Sequence, residues 1–253
     1  MGYSESTGGR KAVFNPIADD GNEYKFCSTC AFGSVCVGHG VDKIGLTELH
    51  CLVEHAGPFR VGDAIFRHGD RFSAVYAVRA GTVKTSQVDR EGRELILGFH
   101  LPGELIGLNA IHTEIYPCDA IALETVEVCR FSFPALATLA TRIPQIQKEL
   151  FRRLSKDIGD ASQRIQESTA DERLAAFILN LCARYEARGF AANALRLSMP
   201  RSDIANYLGL AAETVSRVLR RFQDSGLLVV EGREVSLKNP AGLREVARNI
   251  LPD

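Results

Sequence analysis

The chain has 253 residues, of which 45% are hydrophobic and 24% charged, and a formal net charge of −1 at pH 7. This composition excludes a disordered or fibrous protein and is long enough for two ordinary globular domains, the organisation expected here. A near-neutral total excludes nucleic-acid binding through the field of the whole chain, so any such contact must rest on a local basic patch.

The start, MGYSESTGG, is polar and Gly/Ser-rich, and residues 1–26 are expected to form a flexible tail. It has no apolar signal region, and nowhere do roughly 18 consecutive apolar residues occur, so a cytoplasmic protein is expected. Residues 27–36 read CSTCAFGSVC, placing Cys27, Cys30 and Cys36 in a C-x2-C-x5-C array. The other cysteines are Cys51, Cys118, Cys129 and Cys182, an odd total that argues against a disulfide scaffold and for metal binding in a reducing compartment. One C-x2-C knuckle plus Cys36 leaves a fourth ligand to come from afar. An iron-sulfur cluster tolerates this irregular spacing, with zinc nearly level on pattern alone. Cys51 and Cys182 read as small buried hydrophobes, while Cys118 and Cys129 both stay open.

From Pro58 to Phe133 short apolar runs alternate with glycine turns, the rhythm of a β-roll or jelly roll. In RELILGFHL, Leu95, Leu97, Phe99 and Leu101 recur at period two, predicting one face of a strand. The denser AVYAVRAGTV predicts a strand covered on both sides. Pro144 can open a helix, after which Ile146, Leu150, Leu154, Ile158, Ala161 and Ile165 form one apolar stripe to about residue 167. A helix of that length, about 36 Å, predicts a two-helix dimer seam in preference to packing within the protomer.

Thr169 and Glu172 form a T-x-x-E capping box, and the helix they open ends near Arg188 and Gly189. ALRLSM reads as a strand. The stretch PRSDIANYLGLAAETVSRVLRRFQDSGLL then has helix-turn-helix grammar: Ile204, Ala205 and Leu208 inward, Gly209 at the turn, and Val215, Val218 and Leu219 as the buried stripe of a second helix. That places Glu213, Thr214, Ser216, Arg217, Arg220 and Arg221 on or beside the outer face. From Arg196 to Arg221, five arginines including Arg201 stand against Asp203 and Glu213, a local net charge of +3 that favours phosphates. Arg217 can donate twice to a guanine, Glu213 can accept from a cytosine amino group, and Ser216 can do either. LLVVEGREVSLKN reads as the two strands of a wing. No G-x-S-x-G, P-loop, G-x-G-x-x-G or H-E-x-x-H occurs, and the six histidines show no paired spacing, so neither an enzyme nor a haem protein is expected.

Three stretches together carry a family resemblance: the C-x2-C-x5-C loop, GFHLPGELIGL with the later ALETVEVC, and ADERLAAFI with the downstream RSDIANYLGLAAETVSR. Over everything after about residue 25 the chain resembles the FNR regulators, the oxygen-sensing branch of the cyclic-AMP receptor protein (CRP) superfamily. The resemblance implies an α+β protein. Its parts are an iron-sulfur loop and cyclic-nucleotide-binding-like β-roll at 27–143, a dimerisation helix at 144–168, and a winged helix-turn-helix at 169–253. It further implies that Cys27, Cys30, Cys36 and Cys129 hold an oxygen-labile [4Fe-4S] cluster that passes through [2Fe-2S] in air, leaving Cys118 structural. It also implies a homodimer, base reading by Glu213, Ser216 and Arg217 on a palindrome with TTGAT-like half-sites, and contact with RNA polymerase, for which the loops at 89–93 and 188–193 are candidates.

Two departures matter. The family places an acidic residue at the helix seam, whereas here Asp157 and Asp160 flank the stripe and Ala161 sits within it. A cAMP receptor needs an Arg after G-E-x-x-G to neutralise the phosphate, and between Gly103 and Cys129 there is neither Arg nor Lys, so no cAMP binding is expected. A zinc-stabilised or permanently dimeric CRP-like regulator without oxygen control is the alternative.

Overall fold

A computed structural model describes residues 27–163, 168–191 and 193–250, the side chains of 160–163 excepted. The N-terminal tail, the Ala161 side chain and Ile165 therefore lie outside the described residues. Two 3-10 turns, Cys27–Thr29 and Gly33–Val35, lead into α1 (Lys43–Cys51). Then follow β1 (Val53–Phe59), β2 (Ala64–Phe66), β3 (Ala74–Ala80), β4 (Val83–Val88), β5 (Glu94–His100), β6 (Leu105–Ile106), β7 (Asp119–Ala122) and β8 (Val126–Ser132). These build two four-stranded antiparallel sheets, ordered β1-β8-β3-β6 and β2-β7-β4-β5. Val78, Val83, Ile106, Ala120 and Val128 fill the space between them. The AVYAVRA run is β3, flanked by β8 and β6 and apolar on both faces as its composition predicts.

The RELILGFHL strand forms, but its apolar residues do not share a face. The β4–β5 register shifts between Thr85 and Ser86, whose partners are Gly98 and Ile96, so Leu97 is bulged out of the ladder. A bulge reverses the phase of alternation. Ile96 and Phe99 are consequently buried together, Leu97 packs against the roll interior, and Leu95 is exposed.

Helices α2 (Phe133–Arg142) and α3 (Pro144–Gln163) follow the roll. The apolar stripe of α3 is divided. Ile146 is fully buried in the core formed by α1, α2 and the first sheet, and Leu150 and Leu154 pack against the same core half-covered. Ile146 is thus a core residue of its own protomer rather than part of an open seam. Ile158 is 69% exposed and Phe151, which the stripe missed, 61%. At 100° per residue, Phe151 and Ile158 share a face turned away from Ile146, with Leu154 at its border with the core, so the open face is rotated from the expected one.

The last third begins with α4 (Ala170–Glu186), capped by Thr169 and Glu172 in the reciprocal box. After it come β9 (Ala194–Arg196), α5 (Arg201–Leu208), α6 (Ala212–Asp224), β10 (Leu228–Glu231), β11 (Glu234–Leu237) and α7 (Pro240–Val246). Gly209 joins α5 to α6 at φ +65°, the left-handed conformation that a side chain resists. The wing has three strands, because β9 pairs with β11 beside the predicted hairpin. Cys182 is buried in this core and Cys118 in the roll, whereas Cys51, ending α1 on its outer side, is exposed, against expectation. No helix among the described residues is long and apolar enough to cross a membrane.

Candidate functional site

The first site is a cavity between the N-terminal loop and the first sheet. Cys27, Cys30 and Cys36 border it from the loop side, and Cys129 borders it from β8. The loop is shaped by backbone bonds from Gly33 N to the Cys30 carbonyl and from His39 N to the Cys36 carbonyl, both 3.0 Å. Cys129 is held in the ladder opposite His55 of β1 and Ala77 of β3. Strand pairing thus brings a thiol 93 positions away from Cys36 to the same space. Among the described residues no three His, Cys, Asp or Glu side chains converge as a single-ion site; the four thiols instead surround a shared volume.

Two polar side chains besides the thiols line the cavity, and nothing in the spacing of the sequence points to them. Arg79, in the β3 bulge opposite β8, reaches His55 Nδ1 with its Nη1 at 3.2 Å. His55 Nδ1 lies 3.7 Å from Cys129 Sγ. Burial pushes the Cys27 thiol up to about 12, with Cys36 and Cys30 adding to the rise and the Arg79 guanidinium opposing it. Burial likewise raises Cys129 and Cys36; neighbouring thiols add to the rise, and Arg79 opposes it at Cys129. Four mutually repelling thiolates in an apolar hollow are stable only when cations share it. The donor set, all soft sulfur, and the adjoining guanidinium fit an anionic iron-sulfur group.

The second site is the outer face of α6. Val215, Val218, Leu219 and Phe222 are buried, which turns Glu213, Ser216, Arg217, Arg220 and Arg221 to solvent with Thr214 half-buried. Arg217 Nη2 lies 3.0 Å from Glu213 Oε2, an i,i+4 pair with both side chains more than 70% exposed. Ser216 donates to the Ala212 carbonyl at 3.1 Å. Arg221 pairs with Asp171 of α4, and Arg201 is half-buried at the start of α5, its Nη2 3.5 Å from the Gly232 carbonyl of the wing. The α6 face therefore holds two groups of opposite charge, already oriented and free of tertiary cover.

Asp119 opens β7 on the second sheet of the roll. It accepts from the backbone N–H of His68 at 2.7 Å and pairs with Arg67 at 3.1 Å. Beside it Tyr116 stacks on Phe66 at 4.0 Å between ring centroids and donates its hydroxyl to the Ala74 carbonyl, filling the interior with aromatic rings. Of the two loops considered for polymerase, 89–93 is exposed, while the Arg188 side chain turns inward and is only 3% exposed.

The chain matches the cyclic nucleotide-binding domain family over residues 57–142 and the Crp-like helix-turn-helix domain family over residues 172–246. It is 45% identical over 224 residues to the transcriptional activator protein FnrA of Stutzerimonas stutzeri, covering 87% of this chain and 92% of that one. It is 39% identical over 229 residues to the fumarate and nitrate reduction regulatory protein of Yersinia pestis, covering 89% and 92%. Among solved structures it is similar to FixK2 from Bradyrhizobium japonicum, with TM-score 0.68 and 27% identity over 77% of this chain and 96% of that one. A roll of the cyclic-nucleotide type that carries a Crp-like reader, and shares this much sequence with such activators, is a DNA-binding transcription regulator rather than an enzyme: the chain belongs to the FNR/Anr family.

Proposed function

We propose that this protein regulates anaerobic gene expression in response to oxygen, with Cys27, Cys30, Cys36 and Cys129 holding a [4Fe-4S] cluster. The observation that carries the reading is the single cavity onto which all four thiols open, beside the half-buried Arg79. When bound, the cluster supplies an oxygen-labile iron-sulfide core whose loss frees the four thiolates. Arg79 offsets the negative charge gathered there, and His55 orders the Cys129 side of the cavity.

The working form is a homodimer in the cytoplasm, associated through the Phe151, Leu154 and Ile158 face of α3 and continuing to Ala161 and Ile165. Two copies of α6 then meet successive major-groove faces of a palindrome with TTGAT-like half-sites. Glu213, Ser216 and Arg217 read base edges, while Thr214, Arg201, Arg220 and Arg221 set the position on the backbone. The working units are 27–143, 144–168 and 169–253, and the exposed 89–93 hairpin is the surface offered to RNA polymerase. Asp119 and the aromatic interior support a roll that takes no cAMP.

The test is anaerobic purification followed by air. Brown protein with iron and sulfide at cluster stoichiometry, bleaching as DNA affinity falls, is the expected result. A colourless protein with one zinc overturns it. A second reading, a permanent dimer without oxygen control, is favoured by Ala161, an uncharged residue within the apolar stripe of the seam; cluster-free protein that stays dimeric at micromolar concentration would establish it.

A further inference from the structure

The cluster loop has another neighbour besides α3. Val35, immediately before Cys36, lies hard against Gly103: a β-carbon there would come within 2.5 Å of Val35 Cγ2 and 3.3 Å of its carbonyl carbon and oxygen. The same carbonyl accepts a hydrogen bond from Arg153 Nη2 of α3. Arg153 is aimed by its Nε donating to Glu149 Oε1 at 2.8 Å, and that carboxylate is 4% exposed. One loop residue is thus held by the seam helix on one side and by the Leu101–Glu104 turn on the other.

Gly103 leads directly into Glu104, whose carboxylate reaches out of the roll to the DNA-binding unit. It accepts from Arg184 Nε at 2.9 Å, Arg184 Nη2 at 2.5 Å and Arg188 Nη2 at 2.7 Å. The same two arginines donate to the carbonyls of Phe99 and Pro102, each at 2.6 Å. Five charge-assisted hydrogen bonds therefore fasten α4 to the turn that Val35 rests on. Burial holds Arg188 below its usual range, and the charges of Arg184 and Arg153 push the same way, so Arg153 is electrostatically part of this junction. If the loop withdraws, Gly103 loses its packing partner and Arg153 loses an acceptor in a half-covered site. A donor left unpaired in so covered a site must find another acceptor, and the junction's carboxylates, Glu149 and Glu104, are already shared.

We infer that Glu104 is a positioning residue through which the state of the cluster loop reaches the DNA-binding unit inside one protomer, with Arg153 as the loop's second anchor. This rests on the cluster reading above. It gives the cluster an output that does not depend on dimerisation, which matters in a chain whose seam carries Ala161.

Hydrogen exchange of the full chain, loaded anaerobically and again after air, tests it in segments 99–104 and 180–190. Loss of hydrogen bonds to charged groups is expected to speed exchange there by about tenfold or more. The change should persist in Ile158→Glu, a variant designed to be monomeric, and should shrink in Arg153→Met and in Glu104→Gln. Exchange that ignores the cluster in loaded wild-type protein, that responds only when dimers form, or that changes undiminished in both variants overturns the inference alone. Wild-type protein that takes up neither iron nor sulfide overturns the cluster reading together with it.

Discussion

Arg217 and Glu213 are paired with each other before any DNA arrives, at 3.0 Å on an exposed helix face. The pair is worth little to stability, since exposed i,i+4 bridges contribute about 0.3–0.5 kcal/mol. What the pair does is fix the orientation of both groups on the outer face of α6. Arg217→Ala is expected to lose about 1 to 3 kcal/mol of discrimination at one base pair. Arg217→Lys should not restore it, since a point charge lacks the two-pronged geometry; binding curves on sites altered one base at a time measure both. At the other site, Arg79 is the residue to change. Arg79→Gln is expected to fold, to keep all four thiols, and to hold iron and sulfide about 10- to 100-fold more weakly, the usual cost of a lost outer partner. Chelator competition under nitrogen reads this directly.

Among the elements, α3 is divided between two faces. Its inner face is spent on the protomer's own core, where Ile146 is fully buried, and its open face carries Phe151 and Ile158. Each large apolar side chain is worth about 1.5–3 kcal/mol when fully buried, and a two-fold seam counts each twice. Phe151→Ser is therefore expected to raise the dimer dissociation constant by at least tenfold, seen by sedimentation, with the thermal midpoint of the roll nearly unchanged. An equal loss of stability and association would place Phe151 in the core instead. The N-terminal box of α4 and the left-handed Gly209 between α5 and α6 are local devices. Both were legible in the residues because a cap or a tight turn depends on three or four neighbours in sequence.

At the scale of the whole molecule, the sensor roll and the reader share a core rather than a linker. Ile96, Phe99 and Leu101 of the roll enter the same cluster as Phe177, Ile204 and Val218. Asn206 of α5 pairs with β5 like an added strand, donating to the Glu94 carbonyl at 2.6 Å and accepting from Ile96 N at 2.8 Å. Lys84 joins Asp203 across the boundary at 3.0 Å. Glu104 completes the clasp. Burial works against its charge, but Arg184 and Arg188 outweigh that and hold the carboxyl down to about 2 from its ordinary 4.5. A carboxyl lowered on folding adds stability above its unfolded value and loses it as pH falls towards the folded one. Stability is thus expected to decline between pH 4.5 and 2, and Glu104→Gln should flatten that part of the urea-midpoint profile.

Much was determined by the sequence alone: the roll, the long helix, the capped α4 and the two-helix reader, because each is written in local periodicity, turns and caps. The three clustered cysteines were equally visible, since their spacing is local, and family resemblance supplied Cys129. Only the tertiary structure decided the rest. The bulge at Leu97 put Ile96 and Phe99 against the reader, and the packing of α3 sent Ile146 inward and turned Phe151 outward. Strand pairing delivered Arg79 and His55 to the thiols, and a turn at Gly103 placed Glu104 between two arginines about 80 positions away. These contacts join residues far apart in the chain, so their free energy depends on which surfaces meet, and no local pattern encodes that.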